Sequence, residues 1–144
     1  MNPEVKQLWL DALRSGKYTQ GKSLLRPTES TYCCLGVLCQ IAEERGICEY
    51  IPSDEHEGFT IKYPDVFQDG FCDGNVYEES ELPWVVKQWA GLDNENPKVT
   101  LNERNTKEHL KGTMQDNTII TLAQLNDEHN YTFTELADII EEQL

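Results

Sequence analysis

The segment TYCCLGVLCQIAEERG, residues 31–46, is apolar on nearly every side of a 3.6-residue repeat. A helix of this kind has little face to offer water, so it predicts a central helix with the rest of the chain built around it. Thr31 suits the N-cap and Gly46 the stop, which sets the expected bounds. Cys34, Val37, Leu38, Ile41 and Ala42 form one face, Leu35 and Cys39 widen it, and polar surface is left to Gln40, Glu43 and Glu44. Gly36 costs about 1 kcal/mol relative to Ala in a helix interior and marks a place where another backbone comes close.

A chain of 144 residues can surround such a helix as one domain, residues 1–144, without staples. Three Trp, six Tyr and four Phe give it enough apolar mass to fold. No apolar run approaches the roughly 20 residues of a membrane span, and the charged amino-terminal stretch does not resemble a signal peptide. The expected location is the cytoplasm, where five cysteines, an odd number, are free thiols.

Elements on either side of the central helix follow from local signals. Asn2 as N-cap, Pro3 at the first helical position and Val5, Leu8, Trp9, Ala12 and Leu13 at helical spacing predict a helix over residues 3–15, stopped by Gly16. Residues 16–30 read as an irregular loop. Phe59, Ile61 and Tyr63 alternate with Thr60 and Lys62 as in a strand, and the NVY of residues 75–77 is its expected hairpin partner. Pro83 opens a helix with Val85, Val86 and Trp89 inward and Gly91 as its stop; KVTL, residues 98–101, is a strand candidate in a polar stretch. Residues 118–127 predict a short helix. Thr132 and Glu135 form a capping box with Tyr131 and Leu136 as a hydrophobic staple, and Phe133, Leu136, Ala137 and Ile140 make the buried stripe of the last helix. The fold class is therefore α+β: a helix-rich domain with a small antiparallel sheet and a C-terminal helical hairpin.

The thiols admit three readings. Cys33, Cys34 and Cys39 point in different directions from a helix and Cys48 and Cys72 lie elsewhere, which argues against zinc. A thiol in a helix's first turn can be a nucleophile, because the helix terminus favours the thiolate. Cysteine is also a good small hydrophobe, the reading favoured by the apolar surroundings of Cys34 and Cys39. A nucleophile further requires a base, and the histidines, His56, His109 and His129, fall in loops. Asp69, Asp73 and Gly74 match calcium-loop positions, but Phe71 and Ser80 replace ligands there, so no metal is expected. No phosphate-binding glycine motif or nucleophile elbow occurs, and no cofactor is expected.

Charge points elsewhere. Net charge is −14, which excludes a general nucleic-acid binder. Yet residues 1–26 hold five cations against Glu4 and Asp11. Arg14, Lys17, Lys22 and Arg26, with Tyr18 able to stack, form the candidate binding set for a small anion of nucleotide type. The alternative is that these cations only offset the acidic body in surface ion pairs.

Two resemblances bear on these residues. The Cys-x-Gly turn at Cys34 is similar to that of papain-like cell-wall peptidases, with Cys34 in the nucleophile position, though Cys33 stands where an Asp is usual and Leu35 where a Ser is usual. More extensively, WLDALRSGKYTQ, YCCLGVLC, LPWVVKQWAGL, NPKVTL and LAQLNDEHNYTFTELADIIEE together resemble an uncharacterised family of small proteins encoded by phages and prophages. That resemblance implies an accessory protein made in the bacterial host cell. The leading expectation is a non-enzymatic binding protein, of the counter-defence kind, whose partner is a small anionic ligand or a host protein. A papain-like cysteine hydrolase using Cys34 and an acidic DNA mimic are the alternatives.

Overall fold

The structure, a computed structural model, describes residues 1–64, 75–115 and 117–144. In chain order the elements are α1 (Pro3–Arg14), β1 (Thr19–Gln20), β2 (Thr31–Tyr32), α2 (Cys34–Glu44), β3 (Glu49–Pro52), β4 (Phe59–Pro64), β5 (Asn75–Glu78), α3 (Trp84–Ala90), β6 (Lys98–Leu101), β7 (Thr118–Thr121), α4 (Leu122–Asp127) and α5 (Phe133–Gln143). The class is α+β, as read from the sequence.

α2 is the hub. Every residue from Cys34 to Cys39 is buried, with Ile41 and Ala42 continuing the core. Trp9 of α1 donates its indole N–H to the Cys34 carbonyl at 3.0 Å, and Tyr50 of β3 donates its hydroxyl to the Gly36 carbonyl at 3.0 Å. Gly36 is required where it stands: a Cβ there would lie 1.7 Å from the Leu25 carbonyl oxygen. The close approach expected of this glycine is thus an approach of the segment carrying Leu25 and Arg26.

Helix α2 starts later than expected. Thr31 and Tyr32 are extended and pair in parallel with Thr19 and Gln20, so the N-cap passes to Cys33, whose Sγ accepts the Gly36 N–H at 3.4 Å. Tertiary pairing overrides the local cap signal here. The expected hairpin is present, with β4 antiparallel to β5, and β3 adds a third strand in the order β3-β4-β5. Pro52 ends β3 at the sheet's edge, where a missing N–H is tolerated.

The predicted helix over residues 118–127 divides. Thr118–Thr121 pairs antiparallel with Lys98–Leu101, and α4 begins only at Leu122, with Thr121 as its cap. The β-branched run TIIT finds a strand partner that its own spacing does not reveal. In α3, Val86 and Ala90 are buried, whereas Val85 and Trp89 are half-buried and Trp84 is exposed. α1 and α5 begin at their expected caps, Asn2 and the Thr132–Glu135 box; α5 buries its expected stripe together with Ile139, whereas in α1 Leu10 is buried and the expected Leu8 and Ala12 are only half-buried. No helix among the described residues is long and apolar enough to cross a membrane.

Candidate functional site

Cys34 lies fully buried where α1, α2 and α4 meet, its thiol donating to the Leu122 carbonyl at 3.7 Å. Burial pushes Cys34 and Cys39 well above the ordinary thiol value and Cys33 and Cys48 up to about 12. Desolvation thus outweighs the helix terminus that sequence reasoning expected to favour the thiolate. A nucleophile needs access and ionisation, and Cys34 has neither. No histidine hydrogen-bonds it among the described residues. His56 is engaged at both ring nitrogens, Nδ1 accepting from the Gly58 N–H at 3.0 Å and Nε2 lying 2.8 Å from Glu79 Oε2. No group of three His, Cys, Asp or Glu among the described residues can hold a metal. Cys72 and the calcium-like positions Asp69, Phe71, Asp73 and Gly74 lie outside the described residues.

The loop cations take four different fates. Arg14, at the end of α1, places Nη2 2.7 Å from both Asp138 Oδ1 and Glu141 Oε2 of α5. Lys22 donates to Asn130 Oδ1 at 2.6 Å in the α4–α5 turn. Lys17 holds its ammonium 5.4 Å from the centre of the Tyr18 ring. Arg26 enters an aromatic box: its guanidinium carbon is 4.1 Å from the ring centre of Phe59, 4.9 Å from Tyr32 and 5.2 Å from Tyr50.

Strand pairing builds that box. Phe59 N–H donates to the Arg26 carbonyl at 3.0 Å and Leu25 N–H to the Glu79 carbonyl at 2.6 Å, which ties the Arg26 segment to the three-stranded sheet. Tyr32 and Tyr50 turn their hydroxyls to α2, onto Gln40 Oε1 and the Gly36 carbonyl, and leave their rings to the guanidinium. Tyr18 packs edge-on against Tyr32 with centroids 5.3 Å apart. Lys17, Tyr18 and Arg26 therefore share one aromatic array, while Arg14 and Lys22 are drawn away from it.

The electrostatics of Arg26 are unusual for so acidic a chain. Among the described residues its guanidinium makes a single hydrogen bond, from Nη2 to the Glu29 carbonyl at 2.8 Å, and no ion pair, and Nε is buried without a hydrogen-bond partner. Burial raises the Tyr32 hydroxyl above its usual value, against an opposing pull from Arg26. Sequence reasoning selected Arg26 and Tyr18 but missed Tyr32, Tyr50 and Phe59, which come from three separate elements and carry no shared local signal.

Fold and site together define a class: an α+β domain on a thiol-lined central helix, bearing an arginine enclosed by three aromatic rings with no carboxylate partner among the described residues. The chain belongs to the family described as Domain of unknown function (DUF8296), whose model matches residues 1–144. Comparison with curated proteins and with solved structures gave no match.

Proposed function

We propose that this protein is a non-enzymatic, phage-type accessory protein of the counter-defence kind, which binds a small anionic, nucleotide-like ligand in the host cytoplasm. One observation carries the reading: in a chain of net charge −14, the Arg26 guanidinium is enclosed by three rings and meets no carboxylate among the described residues. The surrounding rings hold the guanidinium in place before a ligand arrives, so less entropy is lost on binding. Tyr18 and Lys17 add a ring and a cation to the same array, which suits a ligand with a flat base and a phosphate. The DNA-mimic alternative is weakened because Asp138 and Glu141 are neutralised by Arg14, and Glu135 by Lys107.

Thermal melting against linear and cyclic nucleotides tests the reading, since a ligand that binds only the native state raises its stability. The expected result is a shift with the wild type that is lost in Arg26→Ala and weakened in Tyr18→Ala. If no nucleotide shifts the wild type at millimolar concentration, sequestration fails for that panel and a host protein becomes the partner to seek.

A further inference from the structure

A concavity of about 430 Å³ lies between residues 104–107 and α5. Tyr131 and Ile139, each 2% exposed, supply its apolar lining. Its walls carry opposite charges. Arg104 and Lys107 stand on the loop, and Glu135, Asp138 and Glu142 share one face of α5 at spacings of three and four residues.

Most of these charges are already satisfied inside the molecule. Lys107 Nζ lies 2.8 Å from Glu135 Oε2 and donates to the Asn130 carbonyl at 2.7 Å, and Asp138 is held by Arg14. Arg104 on one wall and Glu142 on the other form no ion pair among the described residues. The loop wall is fixed by its own hydrogen bonds. The Tyr131 hydroxyl donates to the Asn105 carbonyl at 2.8 Å and accepts the Lys107 N–H at 3.1 Å, while Asn102 Oδ1 accepts the Arg104 N–H at 2.9 Å. A cavity of this volume is within the range of small-molecule sites.

We propose that this groove binds a zwitterionic small molecule of the amino-acid or short-peptide class. Its carboxylate pairs with the Arg104 fork, its ammonium with Glu142, and a short apolar side chain covers Tyr131 and Ile139. Two opposed charges over an apolar base select for both ends of such a ligand at once. This site shares no residue with the Arg26 box.

The test is a titration of the ¹⁵N-labelled full chain, followed by amide shifts, with alanyl-leucine, its N-acetyl form and its C-terminal amide. The expected result is saturable movement of amides in residues 104–107 and 135–142 with the free dipeptide, and at least tenfold weaker binding of each capped form. Arg104→Ala and Glu142→Gln, both at exposed positions, are expected to keep the wild-type melting temperature and each to weaken the dipeptide at least tenfold. The proposal is overturned if the dipeptide gives no saturable shift up to about 10 mM, far weaker than typical small-molecule affinity. It is equally overturned if either capped form binds as tightly, or if either variant binds unchanged.

Discussion

Arg14 and Arg26 leave the same basic stretch of sequence and meet opposite surroundings. Arg14 ends α1 with Nη2 at 2.7 Å from two carboxylates of α5, whereas Arg26 lies over Phe59, Tyr32 and Tyr50 and meets no carboxylate among the described residues. Glu141 and Asp138 hold Arg14 above its already high ordinary value by accepting its hydrogen bonds, so its charge is consumed within the fold. Arg26 keeps a charge that rings can stabilise but not neutralise. Density of positive charge in a sequence therefore does not mark a binding surface; what each cation meets on folding does.

The largest effect that breaks this comparison is expected from Gly36→Ala. Its Cβ would meet the Leu25 carbonyl oxygen at 1.7 Å, which forces the Arg26 segment off α2. A loss of at least about 3 kcal/mol is expected, read from urea unfolding, with loss of any nucleotide response at temperatures where the variant remains folded.

Alkaline pH probes the thiol-lined helix α2. Cys33 and Cys48 ionise near 9 in the unfolded chain but only at about 12 when folded, so the native state prefers the protonated thiol. Their stabilising contribution is complete below about pH 9 and is lost as pH rises toward 12, by at most about 1.4 kcal/mol per pH unit for each thiol. Urea midpoints that stay constant up to pH 11 would contradict this. Alkylation of the folded protein at neutral pH is expected to be slow for Cys34, because access requires opening of the core.

Arg26→Ala sharpens the comparison directly. Loss of the cation that contacts an anion is expected to remove about 1.5–3 kcal/mol of ligand-dependent stabilisation. Arg26→Lys is expected to restore little of it, since an ammonium cannot reproduce a flat fork of donors. The smallest effect belongs to Arg14→Ala: about 0–1 kcal/mol, equal with and without nucleotide, because its ion pairs are largely exposed. A ligand-dependent loss in Arg14→Ala larger than in Arg26→Ala would reverse the assignment of the two residues.

Where the sequence was legible, the signal was local. The Asn2 cap, Pro3 and the Thr132–Glu135 box specify helix starts within four residues, and the observed α1 and α5 begin there. Thr31 misled because Tyr32 is held extended against Gln20, a pairing that no cap rule contains. The TIIT run misled in the same way, since Ile120 faces the core only through its pairing with Val99. For the site, the sequence pointed to Arg26 and Tyr18 but not to the rings around Arg26, which are contributed from positions 32, 50 and 59.

By itself the sequence marked the helix from Cys34 to Ala42 as central, with polar surface left to Gln40, marked Gly36 as a place of close backbone approach and favoured a core role for Cys34 and Cys39. Those expectations follow from side-chain chemistry repeated along one helix that is apolar on nearly every side. Only the tertiary structure decided which cations are spent and which are kept. The partners of a long, flexible side chain lie far away in sequence, 124 residues from Arg14 to Asp138, and a charge is satisfied or left standing according to the element that folding brings beside it.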